Sequence, residues 1–344
     1  MKRFLVNIMY FALIGSIPLL ILLVGYFVYD PFKVVYPYSN YSYPYVISNR
    51  DYISTEMFGH NYKKYNYNSF VFGSSRTLAF KPNSWKNYLS KSDQPFMFDA
   101  SGESIYGIYT KLKYLDAIHA NIDNALILIC RDATFNNSTN HKGHLFIKHP
   151  ITSKESKINF HLCFIQSYLS PNFLFSFYSY TFSKQFKPFM VRYIENRKIV
   201  FDTLTNEVSI IDQEDEITNN TNEYYKRREN LFYQRLKERS DSIVRIKPEY
   251  LFLLKEVKRI LVKNHTNYKI IISPLYEQIK LNPNDLSVLK NIFNDRLYDF
   301  SGKNSFTNSS TNYYETSHFR PLIGDSILKI IYDKPPTVHF RSNI

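Results

Sequence analysis

Between Phe4 and Val28 the chain has no Asp, Glu, Lys or Arg. At about 1.5 Å of rise per residue, a helix over that run exceeds a hydrocarbon core of about 30 Å, so it is long enough to span a membrane. A cleaved signal peptide has an apolar core of only about 7–15 residues, followed by small residues. Here the run ends instead in Gly25-Tyr26-Phe27-Val28-Tyr29-Asp30-Pro31, which points to a retained anchor. No cysteine stands near its end, so an N-terminal lipid has no acceptor thiol. The chain has only two cysteines, Cys130 in an apolar run and Cys163 in a Phe-rich segment, so no disulfide framework is suggested. Both read as small buried hydrophobes. No set of His, Cys and carboxylates has metal-ligand spacing, and no phosphate-binding glycine motif or internal repeat is present, so neither a metal nor a cofactor is expected.

What is abundant is basic charge and aromatic rings. Lys2 and Arg3 precede the apolar run and Asp30 follows it, which places the N-terminus in the cytoplasm and the body outside. The expected location is the cell membrane, single-pass, with the main domain periplasmic or on the cell surface. There a net charge of +13 points away from nucleic acid and toward anionic envelope polymers or lipid headgroups, or simply to a solvated basic surface. The 30 Tyr and 28 Phe suit sugar binding, although drift in composition gives the same count.

Along the chain, residues 29–66 are rich in Tyr, Asn and Ser and interrupted by Pro31, Pro37 and Pro44, and read as an aromatic stalk. Apolar runs follow at 69–72, 95–100, 125–130 and 268–274, with helical patterns at 103–119 and about 248–264. The continuous run Ala125-Leu126-Ile127-Leu128-Ile129-Cys130 suits a strand covered on both faces. This alternation predicts an α/β domain with a doubly wound parallel sheet. The long stretch between the third and fourth runs differs in character. It opens Phe- and Tyr-rich at 161–186, continues with a candidate hairpin, 198–201 and 208–211 across Asn206, and ends in an acidic patch and a basic helix over 222–239. Its apolar face is compatible with covering the core, capping a cleft or lying on the membrane. The expected division is 1–28, cytoplasmic tip and transmembrane anchor; 29–66, stalk; 67–150 with 241–344, the α/β domain; and 151–240, an α+β insertion.

Functional groups in an open α/β sheet gather at the carboxyl ends of its strands. Ser75 follows the first strand in Phe72-Gly73-Ser74-Ser75-Arg76-Thr77, and Gly102 follows the second, where a missing side chain lets an amide approach a carbonyl oxygen. Near the C-terminus, Glu315 stands three residues before His318, with Pro321 placed to open a final helix. Each has a plainer reading. Gly-Ser-Ser is ordinary turn chemistry, Glu315 and His318 suit a helix-start carboxylate and a surface histidine, Arg76 either solvates the turn or grips an anion, and Asp132 either caps a strand or joins the site.

Taken together, these residues resemble the SGNH (GDSL-like) hydrolase superfamily. Gly73-Ser74-Ser75 is similar to its first block, Gly-Asp-Ser, and implies Ser75 as nucleophile with its amide in the oxyanion hole. Gly102 matches the glycine of the second block. Glu315-Thr316-Ser317-His318 is similar to the last block, Asp-x-x-His, with Glu for Asp, and implies His318 as general base oriented by Glu315. In the third block, Gly-x-Asn-Asp, the corresponding Ile129-Cys130-Arg131-Asp132 lacks the glycine and has Arg131 in place of the oxyanion-hole Asn. The resemblance implies a flavodoxin-like parallel sheet of the SGNH type. The single anchor and the Gly-Ser-Ser block look most like the divergent envelope branch, whose members assist O-acylation of surface polysaccharides or D-alanine transfer onto teichoic acids beside a multispanning acyltransferase. The implied function is a serine esterase or O-acyltransferase acting on an envelope glycan or anionic polymer. The alternative is a non-catalytic protein that binds glycan or scaffolds such an acyltransferase.

Overall fold

A computed structural model describes residues 2–235 and 237–333; the tip residue 1 and the end of the expected α/β domain, 334–344, lie outside the described residues. In chain order the main elements are helices α1 (Lys2–Tyr29) and α2 (Arg50–Tyr65), strands β1 (Ser69–Phe72) and β2 (Pro95–Met97), helix α3 (Ile105–Ala117) and strand β3 (Asn124–Ile129). Helices α4 (Lys157–Tyr168) and α5 (Pro171–Ser183), hairpin strands β4 (Ile199–Phe201) and β5 (Val208–Ile210), and helix α6 (Ile211–Arg227) follow. The chain continues through α7 (Pro248–Lys263), β6 (Asn267–Ile272), α8 (Pro283–Phe293), β7 (Leu297–Asp299), a short hairpin β8 (Tyr313–Glu315) and β9 (His318–Phe319), and α9 (Pro321–Asp333).

Five strands pair in parallel in the order β2-β1-β3-β6-β7. All six residues of β3 are buried, and successive side chains serve opposite cores. Ala125, Ile127 and Ile129 pack with Phe70, Phe72 and the apolar faces of α2, α3, α7 and α8. Leu126, Leu128, Val71 and Ile271 pack with Trp85 and with Ile323, Ile327 and Leu328 of α9. Helices therefore cover both faces, as the continuous apolar runs require. The sequence reading did not find β7, whose three residues form a half-exposed edge.

Residues 29–66 are not a stalk. Asn49 caps α2 by accepting from the Tyr52 amide at 2.8 Å, Asp51 lies in the first turn, and Lys63 and Lys64 lie in the last, all in accord with the helix dipole. The helix buries Ile53, Met57 and Phe58 against the sheet together with polar Asp51, Ser54 and Thr55. Asp51 is compensated by Lys111 at 3.0 Å and Lys148 at 3.5 Å, and Glu103 lies 2.8 Å from Lys111 in the same buried cluster. Burying such charges is tolerable because each faces an opposite partner. The segment before α2 is also fixed: the Tyr43 amide donates to the Ile199 carbonyl at 2.8 Å, the Ile47 amide to that of Tyr193 at 3.0 Å, and Val46 bridges Ile194.

The β4–β5 hairpin turns through Asn206, whose φ of 55° is left-handed. Asn206 Nδ2 donates to the Met97 carbonyl at 2.7 Å, and the Met97 amide donates to Thr205 at 2.8 Å, so the turn covers the free edge of β2. The helix expected over 222–239 lies earlier. It is α6, kinked at Asn220 (φ −153°, ψ 56°), with Asp212 and Glu214 in its first turn, Lys226 and Arg227 in its last, and Ile217 and Tyr224 buried on either side of the kink. The acidic patch thus starts the helix rather than preceding it.

Candidate active site

Ser75 leaves β1 through a turn that only glycine fits. Gly73 has a φ of 148°, and a Cβ there would lie 2.9 Å from Leu128 Cβ and 2.9 Å from Thr77 Cγ2. The chain then enters a short 3-10 turn, Ser75–Ala79, where Ser75 is half-buried and Ser74 is buried with its Oγ 3.3 Å from Cys130 Sγ. Of the two adjacent serines, Ser75 alone faces the histidine.

His318 Nε2 lies 2.8 Å from Ser75 Oγ, and its Nδ1 is hydrogen-bonded to Glu315 Oε1. Glu315 and His318 are opposed residues of the β8–β9 hairpin, so their three-residue spacing is a tight β-turn and not a helix start; α9 begins afterwards, at Pro321. Glu315 Oε2 also accepts from the Ser317 amide at 2.6 Å. Burial pushes the Glu315 carboxyl up, but the His318 ring, the Ser317 amide and the Arg76 guanidinium outweigh it and hold it below the usual carboxylate range. A carboxylate on Nδ1–H leaves the lone pair of Nε2 directed at the serine hydroxyl, which is the arrangement of an activated nucleophile.

Arg76 is buried and fully engaged. Its Nε donates to the Ser317 carbonyl at 2.6 Å, and its two terminal nitrogens bind Asp132 at 2.7 Å and 2.8 Å. It does not wait for an anion; it ties the β1 turn, the end of β3 and the histidine hairpin together. Asp132 is the counterion of that tie, and Arg76 holds its carboxyl below the usual range against the opposing effect of burial.

Arg131, expected in the oxyanion hole, points elsewhere. It pairs with Asp241 at 2.8 Å and with Glu277, and is absent from the lining of the Ser75 cavity. The two carboxylates flanking its guanidinium hold it away from Ser75. Gly102 adopts the left-handed φ of 54° expected of a glycine turn, but it lines a neighbouring cavity of about 300 Å³ with Asp132, Phe146 and Lys148. Its loop is tied to the Ser75 turn by the Ala100 amide, which donates to the Gly73 carbonyl at 3.1 Å.

The cavity beside Ser75 and His318 measures about 180 Å³. Ile47 from the segment before α2, Leu78 after the nucleophile, and Ile199, Phe201, Val208 and Ile210 of the hairpin give it apolar walls. Its polar groups besides Ser75 and His318 are Ser48, Ser101 and two ion pairs that sequence reasoning missed. Arg50 binds Asp99 at 2.5 Å and stacks over the Phe201 ring at 4.6 Å, while its Nη1 has no partner; Arg197 binds Glu195 at 2.8 Å. Arg50 and Asp99 are 49 residues apart and meet only in the fold, whereas Glu195 and Arg197 are two residues apart and what the chain hides is their place at the cavity. Among the described residues, no group of three or more His, Cys, Asp or Glu side chains is arranged to hold a metal ion. No protein-family model and no curated protein matches this sequence, so the chemistry of the site is read from its geometry.

Proposed function

We propose that this protein is a membrane-anchored serine esterase or O-acyltransferase of the SGNH type that acts outside the cytoplasm on an envelope glycan or anionic polymer. The observation that carries the reading is the relay from Ser75 Oγ to His318 Nε2 at 2.8 Å and from His318 Nδ1 to Glu315, opening on a mainly apolar cavity. The order of the blocks along the chain and their positions after β1, β2 and β7 of a parallel sheet support the resemblance.

Ser75 attacks the acyl carbonyl as its proton passes to His318, and the C–O bond electrons collect on the carbonyl oxygen. The Ser75 amide, at the start of the 3-10 turn, is the donor closest in sequence to that oxyanion. Collapse of the tetrahedral species expels the alcohol, which takes the proton back from His318, and leaves an acyl-serine. Water or an acceptor hydroxyl then repeats the sequence in reverse.

The helix α1, 28 residues with a mean hydropathy of 2.4 over its most apolar window, is long and apolar enough to cross a membrane. Read as a retained anchor with Lys2 and Arg3 inside, it keeps Ser75 away from cytosolic acyl donors, so the acyl group crosses through a multispanning acyltransferase partner or is already on the external substrate. The test is reaction of the full-length chain with a fluorophosphonate probe. Labelling is expected in the native protein, with none in Ser75→Ala and a large loss in His318→Ala. Equal labelling of Ser75→Ala would remove Ser75 as the nucleophile.

A further inference from the structure

The last turn of α1 is packed against the protein rather than leading into a loose linker. A Cβ on Gly25 would lie 2.7 Å from the Tyr178 hydroxyl and 2.9 Å from that of Tyr168, and Tyr26 is buried with its ring 5.3 Å from Tyr168. The Tyr29 ring lies 5.8 Å from Phe177 and 6.2 Å from Tyr178. Asp30 then closes the exit, its carboxylate accepting from the amides of Val34 at 2.9 Å, Val35 at 3.1 Å and Tyr36 at 3.2 Å. A helix that leaves a bilayer at this point sets α5 beside it at the level of the headgroups.

The surface so placed has the composition of a membrane interface. Phe182 is 79% exposed, Phe175 66% and Val191 62%, and the Phe175 and Phe189 rings lie 5.1 Å apart on the outside of the molecule. Lys184, Lys187 and Arg192 are exposed beside them, and no Asp or Glu occurs from 156 to 194. Between this face and the anchor's exit is a cavity of about 300 Å³ bordered by Tyr29, Lys33, Tyr38, Tyr45, Phe177 and Lys184. Its two ammonium groups rest on rings, Lys33 5.4 Å from the Tyr38 centroid and Lys184 5.2 Å from that of Tyr45. Aromatic side chains with flanking cations are the groups that settle at the boundary of headgroups and acyl chains, and basic residues there favour anionic lipids.

We propose that the face formed by α5 and the segment to Arg192 lies in the bilayer interface, with anionic lipid phosphates drawn to Lys33 and Lys184, so that the anchor and this face together fix the catalytic domain at one orientation to the membrane. The proposal rests on α1 remaining in the membrane and is independent of the chemistry assigned to Ser75. Its test uses the full-length chain reconstituted in vesicles of phosphatidylcholine and phosphatidylglycerol whose acyl chains carry bromine near the headgroup. Phe182→Trp reports on the face, and Phe252→Trp, at a site on α7 that is 60% exposed, serves as the control for solvent-facing surface; the one native tryptophan, Trp85, is buried and supplies a constant background. Side chains seated about 5–10 Å into the interface are within reach of such bromines, so the added indole of Phe182→Trp is expected to emit at shorter wavelength and to be quenched roughly twofold or more, while that of Phe252→Trp is not. At about 1 kcal/mol per lysine near the surface, Lys33→Ala and Lys184→Ala should each weaken the association of this face with phosphatidylglycerol-containing bilayers roughly fivefold, read as a higher phosphatidylglycerol fraction at half-quenching. Protein that floats with the vesicles but shows red-shifted, unquenched emission from Phe182→Trp, as a face kept for a protein partner would, overturns the proposal. Quenching that is indifferent to phosphatidylglycerol overturns its anionic part, and protein that does not float refutes the anchor itself.

Discussion

Arg76→Ala separates two roles that the same residue was able to play. If Arg76 holds the histidine hairpin, its loss must slow the reaction of every acyl donor, including a small neutral one. If it grips an anionic substrate, only anionic donors suffer. The side chain is 9% exposed and makes three hydrogen bonds, two to Asp132 and one to the Ser317 carbonyl. A hydrogen bond to a charged group contributes about 1.5–3 kcal/mol, but Asp132 is 41% exposed and regains water when the guanidinium goes, so the net cost is about 3 kcal/mol rather than the sum. For a domain of this size that is a fall in Tm of about 5–10 °C by calorimetry in detergent. His318 directly follows the Ser317 carbonyl that Arg76 fixes, so freeing that carbonyl by even about 1.4 kcal/mol of positional preference costs a factor of about ten in the rate of labelling by a neutral fluorophosphonate. Arg76→Lys keeps a charge without the planar fork and should fall between. An Arg76→Ala protein that stays folded, labels with the neutral probe at the native rate and fails only with anionic esters would refute the positioning argument.

Glu315→Gln keeps the shape but removes the charge that stabilises the imidazolium, and by comparison with orienting carboxylates in serine hydrolases should lower the labelling rate by about 10³–10⁴ at unchanged fold. Because Glu315 is held below the usual carboxylate range, its contribution to stability is present above the unfolded-state pKa and is lost as pH falls through the lower, folded value; Glu315→Gln should therefore show a shallower loss of stability in acid, measured by urea unfolding across pH. Gly324→Ala would drive a Cβ into the Ala79 carbonyl oxygen, a backbone atom at the end of the nucleophile turn that has no flexible side chain to yield. A destabilisation of about 1–3 kcal/mol is expected, together with slower labelling as α9 pushes on that turn; an unchanged Tm would show that the two segments do not pack this closely.

What local sequence reveals here is what local geometry decides. The strands β1 and β3 were legible because burial on two faces demands unbroken apolar runs, β6 because three buried isoleucines end it, and the hairpin because Asn206 tolerates a left-handed turn. The serine, glutamate and histidine were legible because the tight turns that present them set short spacings. Helix α2 was not, because its buried face mixes Ile53, Met57 and Phe58 with Asp51, Ser54 and Thr55, whose partners are remote: Ser54 Oγ donates to the Asp99 carbonyl at 2.9 Å and Asp51 is met by Lys111 and Lys148. The same remoteness hid the fate of Arg131, whose carboxylate Asp241 lies 110 residues away, and the pairing of Arg50 with Asp99. Spacing reports nothing about an ion pair formed across the fold, so the Arg50–Asp99 part of the cavity lining had no signature along the chain.

The place of α2 in the core also decides where the folded unit that carries Ser75 begins. A chain starting at residue 67, as a stalk would permit, lacks Ile53, Met57 and Phe58, each no more than 1% exposed. Burial of side chains of this kind is worth about 1.5–3 kcal/mol each, or about 5–9 kcal/mol for the three. It also lacks Asp51, and removing one member of a buried charge cluster costs about 3–5 kcal/mol more because Lys111 and Lys148 are left to share the single carboxylate of Glu103. The total is comparable with the whole stability of an ordinary domain, about 5–15 kcal/mol, so a fragment from 67 to 333 is expected to be insoluble or unfolded by circular dichroism and unreactive to the probe. A fragment from 30 to 333 keeps α2 and the cavity wall at Ile47 and Arg50, and should fold in detergent and label at Ser75. If the shorter fragment instead unfolds cooperatively and labels, α2 is not part of the core. If it fails while the longer one succeeds, the segment joining the anchor to the sheet is structural machinery of the catalytic cavity, and the distance from membrane to nucleophile is set by packed elements with no free linker between them.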